Sequence, residues 1–472
     1  MKVDSVSRPG SVRIAVLGST YPRTSNDHEV PWLREWVKRL AARGHKVLVI
    51  APAYRGLGDH VIDGVSVRRF RYAPSSWEIL THGEGAPNKL KKDPILKFLT
   101  LTYVLGGAYA AWKICQQERI DILHVHWPFP HGLMALLPAW HRGSKVVYSC
   151  HSAEFAMAAG SKISSAVLAF CLKQAEAITA NSVYTARLVE EVSGRRPQII
   201  PWGATIKVSS PTDTPVGANS GFFSNVSSFT TPVPHHSATP VSSTRTNTKS
   251  PSVDRVLTRS HTLPQVQISS EDVPLLLFSG RLVERKGVNF LLRAMALILQ
   301  QRKVRLIITG DGHCRQEWEA LARELGVDGA VRFAGFVANE ELSSLFRSCT
   351  LYVHPAIYDS KGDTEGQGVV LVEALSNCKP VVACKVGGIV DVIKDGETGL
   401  LVPEKNPEAI AAAVLRLLND PDYAQRLGGQ GYAHAQNHFD WDRIMDQYDA
   451  IYRKCVLLNK QPTIKDAQPV TR

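Results

Sequence analysis

The chain holds 472 residues, 44% hydrophobic and 21% charged. These are the proportions of a folded globular protein, and the length exceeds one ordinary core, which predicts two domains and excludes a fibrous or wholly disordered chain. The net charge of +12 is uneven: residues 1–204 carry 26 Lys+Arg against 15 Asp+Glu, whereas residues 273–472 carry 24 of each. No aromatic-interleaved basic stripe accompanies that excess, so nucleic acid is not an expected partner.

The first elements alternate. Arg13 to Leu17 reads as a strand, Val30 to Ala42 as a helix, and Lys46 to Ala51 and Val65 to Arg71 as further strands. Between Asn88 and Leu101, Lys89, Lys91, Lys92 and Lys97 interleave with apolar residues. That pattern fits either a helix lying on an anionic membrane surface or an ordinary solvated helix face. The apolar run from Phe98 to Trp112 is about 15 residues, short for a membrane span. Asp121 to His126, Lys145 to Cys150 and Ala177 to Ala180 continue the strand series. Strands alternating with helices predict a parallel, doubly wound sheet over residues 11–204.

The character then changes. Residues 209–270 contain 14 Ser, 10 Thr and 7 Pro, too little apolar surface to offset the entropy of ordering. Residues 205–272 are therefore expected to be a disordered insertion. From residue 273 the alternation resumes, with strands predicted at 275–279, 304–309, 331–334, 351–354, 380–384 and 399–402. Helices are predicted at about 287–301, 313–325, 338–348, 369–377 and 406–419. This is a second doubly wound domain, 273–436, followed by a terminal helix within 437–456 and a frayed tail from Asn459. The eight cysteines are scattered with no C-x-x-C pair, and Met1-Lys-Val-Asp-Ser5 opens without the apolar core of a signal peptide. A reduced, cytoplasmic setting is expected, without disulfides or a metal centre.

Two stretches of the second domain carry chemistry. The strand ending at Gly280 runs into Arg281-Leu-Val-Glu-Arg-Lys286-Gly287 before a helix. Ligands of open α/β sheets bind at the carboxyl ends of strands. There Arg281 and Lys286 are either solvated loop cations or a clamp for phosphate oxygens. Further on, Glu365-Gly366-Gln367-Gly368 precedes an apolar helix that contains Glu373. Gly366 and Gly368 let the backbone approach a ligand, and the helix start favours an anion. Eight helical residues span roughly 12 Å, enough for the two carboxylates to hold the two ends of one elongated ligand around a phosphate.

These stretches, with Gly310-Asp-Gly312 and Gly335-Phe-Val337, resemble the family-4 glycosyltransferases, retaining enzymes of the GT-B fold. Arg43-Gly-His-Lys-Val-Leu-Val-Ile-Ala-Pro52, Asp121-Ile-Leu-His-Val-His126-Trp127 and His151-Ser-Ala-Glu154 fit the same resemblance, which covers about residues 11–204 and 273–455. It implies two Rossmann-like domains facing a central cleft, the nucleotide sugar on the second. Arg281 and Lys286 would then bind the diphosphate, Glu373 the ribose, and Glu365 the transferred sugar. Gly366, Gln367 and Gly368 would present backbone groups, and Val337 would sit beside the base. His151 would lie near the reacting sugar, with His126 and Glu154 on the acceptor side. Arg281, Lys286, Glu365 and His151 thus make the expected catalytic set.

The expected reaction is metal-independent transfer of a hexose from a nucleotide-diphosphate sugar to a lipid-linked or polysaccharide acceptor, with no cofactor. The setting would be cytoplasmic, at the inner face of the membrane if peripheral. A nucleotide-sugar epimerase of GT-B architecture, or a non-catalytic scaffold in a glycan assembly complex, remain alternatives. Three departures from the family pattern fall on the acceptor side. The loop Gly18 to Asp27 has one glycine rather than a pair, Ser152 replaces a glycine, and Trp202 stands where Asn is common.

Overall fold

The computed structural model describes residues 11–27, 29–82, 96–206 and 273–457. The basic segment at Lys89, Lys91 and Lys92, the side chain of Lys97, most of the Ser/Thr/Pro-rich insertion and the tail from Asn459 lie outside the described residues. The two sequence halves, Met1–Asp213 and Val273–Arg472, belong to one compact unit.

The first half is built on an eight-stranded sheet. Its strands are β1 (Arg13–Leu17), β2 (Lys46–Pro52), β3 (His60–Ile62), β4 (Val65–Phe70), β5 (Ile122–His126), β6 (Lys145–Cys150), β7 (Ala177–Ala180) and β8 (Gln198–Ile199). Their order is β3-β4-β2-β1-β5-β6-β7-β8, and all neighbours are parallel except β3 against β4. The central strands are apolar on both faces because helices cover both. On one side lies α1 (Pro31–Ala42), which buries Leu33, Trp36, Val37 and Leu40 at helical spacing. On the other lie α2 (Leu96–Gln117), α3 (Pro128–Arg142), α4 (Ala153–Ala159), α5 (Lys162–Lys173) and α6 (Val183–Ser193).

The second half repeats the plan with six parallel strands: β9 (Leu275–Ser279), β10 (Arg305–Thr309), β11 (Val331–Gly335), β12 (Leu351–His354), β13 (Val381–Cys384) and β14 (Leu400–Val402). Their order is β11-β10-β9-β12-β13-β14. The connecting helices are α7 (Val288–Leu299), α8 (Arg315–Glu324), α9 (Asn339–Ser348), α10 (Val369–Ser376), α11 (Ile389–Val392) and α12 (Pro407–Asn419). In each sheet the winding reverses once, between β1 and β5 and between β9 and β12. Such reversals open a crevice at the strand ends, where ligands bind.

Two further helices close the chain. α13 (Pro421–His438) has no counterpart among the predicted elements, because Gly428, Gly429 and Gly431 interrupt its pattern. Two of those glycines are spatial: a Cβ on Gly428 would meet Cys378 O at 2.2 Å, and one on Gly431 would meet Leu375 Cδ2 at 2.7 Å. α14 (Trp441–Leu457) then enters the first half, burying Ile444, Met445, Tyr448 and Tyr452 in one cluster with Val16, Trp36 and Ile122. Arg43 fastens it, donating to Asp446 at 2.6 Å and to Asp449 at 3.0 Å.

Candidate functional site

The loops after β9 and β12 meet at the reversal of the second sheet. Gly287 (φ 63°) joins them closely: a Cβ there would stand 2.0 Å from Pro355 O. Lys286, buried, donates to the Glu365 carboxylate. Arg285 reaches the same oxygen at 3.5 Å, and His354 Nε2 lies 3.4 Å from it. Burial pushes the Glu365 carboxyl up, but Lys286, Arg285 and His354 outweigh it and hold it well below its usual range. Burial lowers the Lys286 ammonium, and Glu365 opposes that change. Each partner thus favours the charged form of the other.

Arg281 behaves differently. It is exposed, and it forms no ion pair among the described residues. The surrounding protein and neighbouring Arg285 lower its pKa, while Glu365 and Glu29 act the other way. A cation so placed has its hydrogen-bonding fork available for an incoming anion.

The glycine turn lies against the first half. A Cβ on Gly366 would sit 2.5 Å from His151 O and 2.7 Å from Ser152 Oγ, so only glycine permits the contact. Gly368, at φ 84°, starts α10 in the left-handed region. The Gln367 side chain is buried and turned to the backbone of Trp202. Glu373 is buried on α10 and accepts from Thr205 Oγ1 at 2.7 Å. Burial pushes its carboxyl up to about 7, although Thr205 opposes the rise. Val337 is buried in the loop after β11, at the same end of the sheet.

On the first half, the strand ends carry rings. His151 follows β6, and its ring centroid lies 4.9 Å from Trp32, 4.8 Å from Trp127 and 5.7 Å from Trp202, stacked on the last. Enclosure among these apolar faces pushes its pKa down to about 3, so the imidazole is neutral. His126 does not face an open acceptor surface. It is fully buried, with Nδ1 3.1 Å from His151 Nε2 and Nε2 unpartnered among the described residues. Glu154 is also fully buried, and its Oε1 accepts the His151 backbone N–H at 2.8 Å. Burial raises its carboxyl to about 7. Both residues support His151 from within the protein, His126 through the ring-to-ring contact and Glu154 through the backbone N–H.

The departures noted in the sequence acquire reasons. Ser152 adopts φ 83° and ψ −43°, a conformation that glycine takes without steric cost. Trp202 supplies the ring that stacks on His151, and it meets Trp32 at a tilt, with centroids 4.5 Å apart. Other participants escaped the sequence reading: Arg285 and His354 at Glu365, Thr205 at Glu373, and Trp32 beside His151. Arg285 was visible one residue before Lys286, but nothing in the spacing told which of the three cations would reach Glu365. Among the described residues no three His, Cys, Asp or Glu side chains are grouped to hold a metal ion. Asp359 Oδ1 instead accepts the backbone N–H groups of Lys361 and Asp363, both at 2.9 Å.

Two Rossmann-like domains, with a cationic loop at the reversal of one and an enclosed histidine at the strand ends of the other, define a GT-B architecture. Its solved neighbours agree on that fold. The sucrose-phosphate synthase of Thermosynechococcus elongatus superposes with a TM-score of 0.68 at 20% identity, over 95% of this chain and 100% of that one. Anabaena HepE, solved in complex with UDP and glucose, superposes with a TM-score of 0.63 at 17% identity, over 94% of this chain and 100% of that one. The chain belongs to the family-4 glycosyltransferases: residues 32–207 match the model for Glycosyltransferase Family 4, and residues 260–434 match that for Glycosyl transferases group 1.

Curated relatives carry related names. An uncharacterized glycosyltransferase of Methanocaldococcus jannaschii is 34% identical over 39% of this chain and 45% of its own length. The alpha-D-kanosaminyltransferase of Streptomyces kanamyceticus is 31% identical over 39% of this chain and 46% of its own. A D-inositol 3-phosphate glycosyltransferase of Streptomyces griseus is 35% identical over 39% of each. The matched stretch spans under half the length of these relatives.

Proposed function

We propose that the chain transfers a hexose from a nucleotide-diphosphate sugar to a lipid-linked or polysaccharide acceptor, with retention at the anomeric carbon and without a metal or organic cofactor. The observation that carries this reading is Arg281, an accessible cation without an ion pair among the described residues, beside the pair of buried Lys286 and part-buried Glu365. Anabaena HepE, a structural neighbour solved with UDP and glucose, is consistent with a uridine nucleotide as donor.

In this reading Arg281 and Lys286 face the diphosphate and stabilise the charge that grows as it leaves. The bond between the anomeric carbon and the phosphate oxygen breaks. The acceptor hydroxyl oxygen bonds to that carbon on the same face, and its proton passes to the departing phosphate oxygen. The products are the glycoside and a nucleoside diphosphate. Glu365 receives hydroxyls of the transferred sugar, and Glu373 exchanges Thr205 for the ribose. His151, neutral at pH 7, offers a hydrogen bond to the sugar rather than a charge.

The test begins with a thermal-shift panel of UDP, GDP, ADP and their common sugars, with and without Mg²⁺ and EDTA. A selective rise that survives EDTA is expected. It would be followed by NMR assignment of the product anomer, expected to match the donor. No response to any nucleotide, or an inverted anomer, would overturn the reading. Interconversion of the donor sugar without an acceptor would instead identify an epimerase.

A further inference from the structure

Helices that cover a sheet normally turn their apolar stripe inward and a polar one outward. The layer α2–α5 departs from this. Nine of the sixteen large apolar side chains exposed among the described residues belong to these four helices. On α2 they are Phe98, Leu101, Leu105 and Tyr109, three or four residues apart and so on one stripe. Phe98 is 82% exposed. On α3 they are Leu137 and Trp140, on α4 Met157, and on α5 Ile163 and Phe170. The core of this layer is complete without them, since Leu99, Tyr103, Met134, Phe155 and Leu168 already fill it.

The charge on the same layer has one sign. The four helices contain a single acidic residue, Glu154, and it is buried beneath His151. Lys113, Lys162 and Lys173 are exposed. A second copy would bring the same lysines to this face with no carboxylate of these helices to meet them, and a basic partner would find none either. Aromatic and aliphatic side chains interspersed with lysines alone are complementary to an interface of acyl chains beneath anionic headgroups. None of the described helices is long and apolar enough to cross a bilayer, so the contact would be lateral.

We propose that the α2–α5 layer docks the protein on an anionic lipid surface, with Phe98, Leu105, Trp140 and Ile163 entering the interface and the three lysines meeting headgroups. The position of the layer matters for the acceptor. α3 begins immediately after Trp127, and α4 two residues after His151. The helices that touch lipid thus start at the rings that enclose His151. The proposal rests on the transfer reading only for this last point, that a lipid-linked acceptor would arrive along α3 and α4.

The experiment is co-sedimentation of the full chain with vesicles of phosphatidylcholine mixed with phosphatidylglycerol, and with vesicles of phosphatidylcholine alone. Binding to the anionic vesicles is expected, falling with added salt. Loss of roughly tenfold or more in partitioning is expected for F98S/L105S/W140S and for K113E/K162E/K173E. Each altered side chain is exposed, and an unshifted melting temperature verifies folding. A parent chain that stays in solution, or a serine variant that binds as the parent does, would overturn the proposal. So would sedimentation velocity showing a lipid-free dimer that the serine variant dissolves, which would make a second copy the occupant. Vesicle binding needs no turnover, so loss of donor response with vesicle binding intact would sink the transfer reading and leave this one standing.

Discussion

Gln367 and Trp202 hold each other by two hydrogen bonds: the Gln367 carbonyl oxygen accepts Trp202 N–H at 2.8 Å, and its amide donates to Trp202 O at 2.8 Å. A side chain in the glycine turn of the second half thereby satisfies the backbone at the exit of the first. Gln367→Ala should leave a buried N–H and C=O unpaired and cost about 2–4 kcal/mol. Urea unfolding measures it, and a midpoint unchanged from the parent would count against the tie.

Arg281 and Lys286 should separate function from stability. Arg281 has no ion pair to lose among the described residues, so Arg281→Ala should leave the melting temperature nearly unchanged while kcat falls roughly 10²–10³-fold. Lys286→Met strands a partly buried Glu365 and should cost about 3 kcal/mol or more. Adding Glu365→Gln should recover much of that stability and none of the turnover. Parallel calorimetry and nucleotide-release assays of the three variants give the comparison.

Glu373 predicts a pH effect. Its folded pKa of about 7 stands above the carboxyl value of an unfolded chain, so folding favours the protonated form. Its contribution to stability is present below about pH 4.5 and is lost as the pH rises to about 7. Glu373→Gln should therefore stabilise the nucleotide-free protein at pH 8 by a few kcal/mol and do little at pH 4.5. The same change should weaken nucleotide binding. A melting difference that does not grow with pH would remove the basis for the prediction.

The buried imidazoles act in the opposite direction. Burial depresses His124 and His151 to about 3 and His131 and His354 to about 4, and lowers His126 well below its ordinary value. An unfolded chain takes up these protons near pH 6.5 and the folded one does not, so stability is full above that pH and falls as the pH drops toward 4. With His82 and His434, also lowered to about 4, seven such groups outnumber Glu373 and Glu154. Net loss of stability on acidification from pH 6.5 to 4.5 is expected in circular-dichroism melts, and a flat profile would contradict it.

Ser152→Gly should raise stability by about 1 kcal/mol, because φ 83° with ψ −43° strains a residue that has a Cβ. A lower melting temperature would mean that contacts of the hydroxyl outweigh the strain.

The alternation of strands and helices was readable because parallel strands covered on both faces become continuous apolar runs such as Leu275–Ser279 and Lys145–Cys150. β3 was not read, since three residues before Asp63-Gly64 offer no period to detect. Of the site, the positions of Arg281, Lys286 and Glu365 followed from their places after β9 and β12. The enclosure of His151 did not, because Trp32, Trp127 and Trp202 come from three distant stretches that only the folded domain brings together. For the same reason His126 looked available in sequence and is buried in the fold.

The path of α14 bears on the order in which this protein is made. Trp36, Val16 and Ile122 share their cluster with Ile444, Tyr448 and Tyr452, and His124 Nδ1 lies 2.6 Å from the Tyr452 hydroxyl. A ribosome that has finished the first half has therefore not yet synthesised part of that half's own interior. Nascent chains stalled before residue 441 should remain protease-sensitive around α1, and release of the last helix should protect them. The first domain to emerge is the last to be completed.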